Sequence, residues 1–317
     1  MWSIKQPPKI IFGKNSIQKF SFPNDCLVIT SKGARSRGWL DMLGLNTQFV
    51  FDRVESNPSI ETTKKIISQF KNSNFSHVVG IGGGSSLDVA KFCAFKMKKS
   101  KIMIPTTFGS GSEVTRISVL KVHGKKKSFH DDGILPDIAI IDPIFLQNAP
   151  FQIIRNSAID ACAQCTEAFD SKLANNFTKF LCFTAFEILE KALEEKNYEN
   201  LAYGSLLSGL GFGNSSTTLG HALSYVFSNE GISHGHALAF TTTVAHKFNN
   251  SIFYDRFSNL VKKLNFQEIT LLQDISSASE LIMTDKKHLD NNPKSISKNN
   301  IEYLLNRIVN NQTFCHV

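Results

Sequence analysis

Long apolar runs, a signal-peptide core and a disulfide pattern are all missing from this chain of 317 residues. No stretch of about 18 consecutive apolar residues occurs, so the sequence predicts no transmembrane helix. The opening residues Met1–Pro8 lack the apolar segment of a secretory signal, and we therefore expect a cytoplasmic protein. The six cysteines show no disulfide-framework spacing, which favours a reducing compartment.

Cys162 and Cys165 form a single C-x-x-C pair. With no second pair nearby, the spacing argues against a zinc ribbon. Two explanations stay open: a redox pair, or two core cysteines carried by one helix. We predict the second.

An excess of positive charge is present, with 35 Lys and Arg against 27 Asp and Glu and a net charge of +8. The basic residues are scattered, and the longest unbroken cluster is Lys125–Lys127. Because no basic stripe is visible, we expect no nucleic-acid partner. An anionic small substrate or cofactor is the better explanation of the charge.

The first half of the chain alternates β-branched runs with segments of helical spacing, such as Ile60–Phe70 and Asp88–Lys98. This alternation predicts a parallel sheet covered by helices on both faces. The predicted strands are Ile10–Phe12, Cys26–Thr30, Thr47–Phe51, His77–Ile81, Lys101–Pro105 and Ile138–Asp142.

From Phe151 onward nearly every periodic segment is helical, and strand signals are few. We therefore predict two domains, an α/β domain over residues 1–150 and an all-α domain over residues 151–317. The predicted helices that hold candidate site residues are Ser157–Phe169 and Ser215–Phe227, and Ala237–Asn249 is a further predicted helix.

A glycine- and serine-rich turn lies between a predicted strand and a predicted helix. It contains Gly82, Gly83, Gly84, Ser85 and Ser86. Glycines permit close backbone approach, and a helix N-terminus offers free N–H groups to a phosphate. The turn is neither a G-x-G-x-x-G nor a Walker motif. It predicts a phosphate site, with a plain tight turn as the alternative.

A second loop, Thr106–Thr115, is dominated by hydroxyls and glycines and also follows a strand. Ligands in open α/β sheets bind outside the carboxyl ends of the strands. Two such loops at consecutive strand ends therefore favour a nucleotide over two flexible surface turns.

Four residues in the helical half are candidates for one metal site, with structural roles for the two histidines as the alternative. Asp160 and Gln164 stand four residues apart on one helix, so they share a face, while His221 and His234 come from later segments. A carboxylate with two imidazoles suits Zn²⁺ or Fe²⁺. Structural roles are expected for His77, His123, His130, His246, His288 and His316.

The order of these motifs resembles the iron-containing (group III) alcohol dehydrogenases, a superfamily that includes glycerol dehydrogenase and dehydroquinate synthase. The resemblance runs almost end to end. It is carried by Gly82–Lys91, Pro105–Thr115, Leu135–Asp137 with Asp142 and Pro143, Ser157–Ala168, Leu219–Ala239 and Asp290–Ser297.

The resemblance implies a Rossmann-like N-terminal domain with an all-α C-terminal domain, as in dehydroquinate synthase. It implies a metal-dependent dehydrogenase that uses Fe²⁺ or Zn²⁺ with NADPH or NADH, and a possible homodimer. The cofactor-binding residues it implies are Gly82–Ser86, Asp88, Thr106, Thr107, Ser110 and Lys126.

Two positions depart from the family pattern. Gln164 stands where members usually have a second metal-binding histidine, and Tyr225 stands where many have a further histidine. A tyrosine hydroxyl near the metal can donate a proton. We expect water, the ribose hydroxyl of the cofactor, Tyr225 or His236 to protonate the product.

The strings around Arg116, Gln164 and His221–Ala237 look most like the phosphonoacetaldehyde reductase branch, which forms 2-hydroxyethylphosphonate. A dianionic substrate requires nearby cations, and Arg116 and Arg155 are the candidates, with surface salt bridges as the equal alternative. The strand ending at Thr30 is followed by Lys32 and Arg35 rather than a carboxylate, which favours NADPH.

Three other functions stay open. They are a general short-chain alcohol dehydrogenase, a dehydroquinate synthase-like lyase that uses NAD transiently, and a binding protein with a weakened metal site. Gln164 motivates the last of these.

Overall fold

The computed structural model describes residues 1–45 and 48–310. These residues form two compact units, one over Ser3–Ala149 and one that begins at Pro150. We describe each unit by itself.

The first unit contains a six-stranded, fully parallel sheet. Its strands are β1 (Lys9–Phe12), β2 (Cys26–Ile29), β3 (Val50–Phe51), β4 (His77–Gly82), β5 (Ser100–Pro105) and β8 (Ile138–Ile141). Their order across the sheet is β1-β8-β5-β4-β2-β3. In the predicted strand Thr47–Phe51, only the last two residues form the observed strand, and Thr47 lies outside the described residues.

Helices cover the two faces of this sheet because its inner strands are apolar on both sides. Val78 packs into one buried cluster and the neighbouring Val79 into the other. Alternate side chains of a strand point to opposite faces, so a continuous apolar run requires a cover on each. The helices are α1 (Ser16–Lys19), α2 (Lys32–Ser36), α3 (Ile60–Phe70) and α4 (Gly84–Met97).

A separate antiparallel hairpin was not predicted from the sequence. It consists of β6 (Ile117–Val122) and β7 (Lys125–His130), joined at His123 and Gly124, whose φ angles of 50° and 76° are left-handed. A two-residue turn of this kind suits the twist of a hairpin. Burial alternates along β7, but its first three residues are all lysines, so the sequence carries no alternating pattern there.

The second unit is helical throughout its described part. Its first helix begins at Phe151, six residues before the predicted Ser157, and its fifth begins at His234 rather than Ala237. The predicted fold class, a parallel α/β sheet domain followed by a helical one, is confirmed. The helices are α5 (Phe151–Asp170), α6 (Asn176–Glu195), α7 (Tyr198–Ser215), α8 (Leu219–Asn229), α9 (His234–Asn249), α10 (Tyr254–Lys263), α11 (Ile275–Met283), α12 (Lys286–Asn291) and α13 (Lys298–Asn310).

Helix α5 explains the cysteine pair. Cys162 and Cys165 are free thiols in the core of the second unit, and neither side chain reaches solvent. Burial raises the pKa of the Cys165 thiol to about 12, so it is an unreactive thiol at neutral pH. Within residues 1–45 and 48–310, no helix is long and apolar enough to cross a bilayer.

The last residue of α5 carries an unfavourable charge. Asp170 Oδ2 is buried and accepts no hydrogen bond from the described residues, and the nearest imidazole nitrogen, His246 Nδ1, lies 3.9 Å away. Burial raises the pKa of Asp170 to about 6 from the usual 3.8. A carboxylate at a helix C-terminus is also disfavoured by the helix dipole.

We expect Asp170→Asn to stabilise the protein at pH 8 and to have little effect near pH 4. Between the unfolded pKa of 3.8 and the folded value of about 6, the native state binds more protons, so rising pH removes stability. The asparagine avoids this loss and gains about 1–3 kcal/mol above pH 6. Urea unfolding of metal-free protein at the two pH values measures it, and equal effects at both would contradict the prediction.

Candidate functional site

Three side chains of the helical unit meet with their ligand atoms facing one another. Asp160 Oδ1 lies 3.9 Å from Nε2 of both His221 and His234. All three ligand atoms lie within 4.8 Å of one another. The donors come from three helices, since Asp160 is in the middle of α5 and the histidines are in the first turns of α8 and α9. The structure thus brings together three of the four residues predicted to bind metal.

The ring of His221 is held from its far side. Its Nδ1 contacts Glu167 Oε2, and its Nε2 is buried without a hydrogen-bond partner among the described residues. Burial alone would raise the pKa of Glu167, but the hydrogen bonds from His221 and from the amide of Gly220 help to outweigh it, and the pKa is lowered. His221 therefore directs one unused nitrogen toward Asp160. Glu167 was not singled out from the sequence, although it stands seven residues after Asp160 on the same helix face.

The ring of His234 also has partners at its Nδ1 atom, and these partners are hydroxyl groups. Its Nδ1 lies 3.4 Å from Ser224 Oγ and 3.5 Å from Ser228 Oγ. Ser224 already donates to the carbonyl of His221 at 2.8 Å, so its oxygen is available to accept from the His234 ring. Nε2 is the ring nitrogen of His234 that lies toward Asp160, at 3.9 Å from its Oδ1.

Gln164, the fourth predicted ligand, lies one turn after Asp160 and is 5% exposed. Its Nε2 donates to Asp160 Oδ1 at 2.9 Å, and its Oε1 is buried with no partner in the described chain. A buried amide oxygen without a hydrogen bond is costly unless something else binds it. Its role as a ligand stays a prediction.

The donor set fits a divalent metal ion. Ligand atoms around a tetrahedral ion with bonds of about 2.1 Å lie about 3.4 Å apart, so the observed separations require only a small inward movement. The unpartnered Nε2 of His221 and Oε1 of Gln164 are the kind of buried atoms that an ion would satisfy. A mixed oxygen and nitrogen set suits Fe²⁺ and Zn²⁺ alike.

Two aromatic side chains border the cluster. The Tyr225 ring stacks on the His234 ring at a centroid distance of 5.9 Å and meets His288 edge-on at 5.7 Å. His288 also stacks on His221 at 6.3 Å, and its Nδ1 is hydrogen-bonded to Asp285 at 2.6 Å. Tyr225 thus lies beside the predicted ligands. His288 had been assigned only a structural role, because its segment gave no sign that α12 packs near α8.

A glycine allows α9 to approach α5. A Cβ atom at Gly235 would lie 1.9 Å from the backbone oxygen of Asn156, which no side chain can tolerate. Asn156 Nδ2 also donates to Ser233 Oγ at 2.8 Å, immediately before α9. Because Asn156 precedes Asp160 by one helical turn, this contact sets His234 beside Asp160.

Two other predicted residues have partners away from the cluster. His236 Nε2 donates to the carbonyl of Gln267 at 2.6 Å. Arg155 donates to the carbonyls of Leu264 and Asn265 at 3.1 and 3.0 Å, and its guanidinium lies 4.2 Å from the Phe266 ring centroid. Burial lowers the pKa of both groups. These contacts fix the segment that ends α10 and favour structural roles.

Arg116, the other candidate for substrate binding, belongs to the first unit. Its Nη1 forms a salt bridge with Asp132 Oδ1 at 2.9 Å, and Lys5 pairs with the same carboxylate. Both partners of the Arg116 pair are about half exposed, so the pair is the surface salt bridge weighed as the alternative.

The glycine turn and the hydroxyl-rich loop come together at the carboxyl ends of β4 and β5. A Cβ atom at Gly84 would lie 2.8 Å from Ser110, and one at Gly83 would lie 3.1 Å from Thr107 Oγ1. Gly82 ends β4 with a φ of 146°, a conformation that favours glycine. Helix α4 begins directly afterwards at Gly84, four residues earlier than predicted, so Ser85 and Ser86 lie in its first turn. The amide of Ser86 donates to the carbonyl of Gly83 at 2.9 Å, so an anion at this helix N-terminus would be bound by the amides that precede it.

Asp88 is hydrogen-bonded to residues within the first unit and does not lie at the tip of the glycine turn. Its Oδ1 accepts from Ser112 Oγ at 2.6 Å, and its Oδ2 accepts from the amide of Val119 at 3.0 Å. Lys91, with no exposed surface, lies 3.6 Å from Asp88 and donates to the carbonyls of Thr115 and Ile117. The carboxylate thus fixes the end of the hydroxyl-rich loop against α4.

The remaining cofactor predictions lie elsewhere in the first unit. Lys126 is half-buried on β7. Arg35, one of the cations taken to favour NADPH, forms a salt bridge of 2.6 Å with Asp52, which follows β3. A carboxylate is therefore present near these cations, and the choice between NADPH and NADH stays open.

Both units match one protein family. Residues 7–143 match the iron-containing alcohol dehydrogenase family, and residues 154–284 match the C-terminal part of the Fe-containing alcohol dehydrogenase family. The chain therefore belongs to the iron-containing alcohol dehydrogenase family, as its motifs predicted.

Curated relatives are similar over parts of the chain. Long-chain-alcohol dehydrogenase 1 of Geobacillus thermodenitrificans is 32% identical over 60% of this chain and 56% of its own length. The 4-hydroxybutyrate dehydrogenase of Clostridium kluyveri is 31% identical over 57% of this chain and 56% of its own length. The chain thus matches little more than half the length of each.

A solved structure agrees with the fold over nearly the whole chain. Sulfoacetaldehyde reductase from Bifidobacterium kashiwanohense, in complex with NAD⁺, superposes with a TM-score of 0.87 and covers 98% of this chain and 99% of its own. The sequence identity is 24%, so the agreement concerns the fold.

Proposed function

We propose that this protein is a metal-dependent, nicotinamide-dependent alcohol dehydrogenase that reduces a small aldehyde. The observation that carries the proposal is the meeting of Asp160, His221 and His234, with their ligand atoms within 4.8 Å of one another, in a member of the iron-containing family. The adjoining turns at Gly83 and Ser110 support a dinucleotide in the first unit.

The residues have separate tasks in this proposal. Asp160, His221 and His234 hold a divalent ion, with the Gln164 oxygen available as a further ligand. When bound, the ion supplies Lewis acidity toward a carbonyl oxygen and the nicotinamide supplies the hydride. His234 is the most open of the three, with 29% of its side chain exposed, which leaves room for substrate on that side.

Tyr225 is the better of the two candidates for proton transfer to the product. It stacks on His234, whereas His236 is bonded to a backbone carbonyl in another segment. A general acid must reach the reacting oxygen directly or through one water. Of these two candidates, Tyr225 is the one that borders the cluster.

The first substrate to test is phosphonoacetaldehyde, as the sequence strings predict. One fold neighbour is named as a sulfoacetaldehyde reductase. Sulfoacetaldehyde and phosphonoacetaldehyde are both acetaldehydes that carry an acidic substituent. Arg155 and Arg116 have partners within the protein, so each would have to rearrange or share its guanidinium to bind such a substrate.

The experiment follows NADPH and NADH oxidation with protein reconstituted with Fe²⁺ or Zn²⁺. Phosphonoacetaldehyde is compared with sulfoacetaldehyde, propionaldehyde and 4-oxobutyrate. Preference for the phosphonate supports the narrow assignment, and equal use of plain aldehydes leaves a general alcohol dehydrogenase. Absence of oxidation with every aldehyde would overturn the proposal in favour of a lyase or a binding protein.

We expect His234→Ala to lose bound metal and to lower turnover by at least about 10³-fold, because one of three ligands and the associated charge stabilisation are removed. Metal content by mass spectrometry and kcat measure the two effects. His130→Ala is the control, since His130 is an exposed residue of β7. Near-normal metal content and turnover in His234→Ala would contradict the metal-site proposal.

A further inference from the structure

Glu167 is a buried carboxylate that the proposed mechanism does not use. It lies on α5 seven residues after Asp160 and three after Gln164, so all three side chains share one face of the helix. Only 1% of its surface is exposed. An ionised group buried to this degree must be paired or fully hydrogen-bonded.

The partners of Glu167 come from the start of α8. Oε1 accepts from the Thr218 hydroxyl at 3.0 Å and from the amide of Gly220. Oε2 accepts from the amide of His221 at 3.3 Å and contacts His221 Nδ1. The first amides of a helix have no partner within the helix, so Glu167 satisfies them from outside. The same carboxylate therefore fixes both the backbone and the ring of His221.

This arrangement determines which ring nitrogen of His221 carries the proton. An ionised carboxylate can only accept hydrogen bonds, so Nδ1 of His221 must be protonated to bind it. A neutral imidazole carries one proton, which leaves a lone pair on Nε2. That atom is buried, has no hydrogen-bond partner in the described part of the chain and lies 3.9 Å from Asp160 Oδ1.

We propose that Glu167 is a positioning residue for metal binding, which holds His221 as the Nδ1-protonated tautomer and so presents Nε2 to the ion. The inference rests on the proposed function for its metal. Two carboxylates, Asp160 and Glu167, with two neutral imidazoles also balance the charge of one divalent ion. Glu167 touches neither substrate nor cofactor in this role and acts through His221.

The test is Glu167→Gln, which keeps the shape and replaces one oxygen by an NH₂ group. If the amide oxygen of the glutamine keeps the hydrogen bonds from Gly220 and Thr218, its NH₂ group faces His221 Nδ1. The NH₂ group can only donate, so Nδ1 must then be unprotonated in order to accept the hydrogen bond. The proton then moves to Nε2 and blocks the ligand atom. We expect Co²⁺ affinity, measured by its visible spectrum in competition with a chelator, to fall about 10–100-fold.

The tautomer is read directly by nitrogen NMR of metal-free protein, with the His221 signals identified by their absence in His221→Gln. We expect Nδ1–H in the wild type and Nε2–H in Glu167→Gln. Thr218→Val is the matched control, because it removes one hydrogen bond to Glu167 without touching the ring, and it should keep the wild-type tautomer and a Co²⁺ affinity within about threefold.

Three results would overturn the inference. They are an Nε2-protonated His221 in the wild type, an unchanged tautomer in Glu167→Gln, and a Co²⁺ affinity of that variant within about threefold of the wild type. The first needs only the wild type and the His221→Gln reference, so a failure of Glu167→Gln to fold does not prevent the test. A wild type that takes up no Co²⁺ would instead count against the proposed function, because the tautomer is measured without metal.

Discussion

Gly235→Ala is expected to lower both the free energy of unfolding and metal affinity. The added methyl group would lie 1.9 Å from the backbone oxygen of Asn156, and a backbone atom cannot rotate away as a side chain does. The first turn of α9 must therefore move from α5, at a cost of about 3 kcal/mol or more. Because His234 is the adjacent residue, we expect Co²⁺ affinity to fall at least about tenfold.

Gly33→Ala is the matched control for this substitution. Its new methyl group would lie 2.9 Å from Nη1 of Arg37, a flexible side chain that can move, and 3.9 Å from Ser31 Oγ, which is an ordinary contact. Alanine is the better helix former, so a gain of up to about 1 kcal/mol is expected in α2. Urea unfolding and Co²⁺ titration of both variants make the comparison. A Gly235→Ala protein as stable as the wild type would show that α9 does not press on α5.

The second large effect is expected at Lys91 in the other unit. Lys91 is fully buried beside Asp88 and Glu113, and burial lowers its pKa to about 8 while it raises that of Glu113 to about 7. Lys91→Met keeps the length of the side chain but leaves both carboxylates without their cation. Removing one partner from a buried ionic cluster costs about 3–5 kcal/mol.

The loss should extend to cofactor binding, because this cluster fixes the hydroxyl-rich loop against α4. Lys91→Met is therefore expected to weaken NADH and NADPH binding, measured by nicotinamide fluorescence at a temperature where the variant is folded. Lys96→Met on the same helix is the control, since Lys96 is exposed. It loses only the cation–π contacts of Lys96 with the Phe92 and Phe95 rings, at 5.4 and 5.0 Å, so its stability should change by no more than about 1 kcal/mol. Equal stability of the two variants would contradict a structural role for the cluster.

The elements that the sequence predicted best are those whose signal is local. Glycines after an apolar run marked the turn at Gly82, and a carboxylate with two spaced histidines marked the cluster of Asp160, His221 and His234. The hairpin at Gly124 was missed because three consecutive lysines masked its alternating pattern. Helix α5 began earlier than predicted because Phe151 and Ile153, which are exposed, gave no amphipathic signal there.

Side-chain partners were the least predictable feature. Asp88, expected at the cofactor, binds Ser112 and a backbone amide instead. Arg155, expected at a substrate, holds the end of α10. A charged residue has many possible partners within reach of its segment, and which one it meets depends on how distant elements pack. No local pattern contains that information.

The sequence by itself determined the fold class, the positions of the glycine turn and the hydroxyl-rich loop, and the types of atom in the candidate metal site. These features depend on periodicity and residue chemistry. Only the tertiary structure decided that Asp160, His221 and His234 converge and that His288 and Tyr225 border them. It also identified Glu167 as the partner of His221. The physical reason is that these contacts join α5, α8, α9 and α12, and the distances between helices are set by packing at positions such as Gly235 rather than by any single segment.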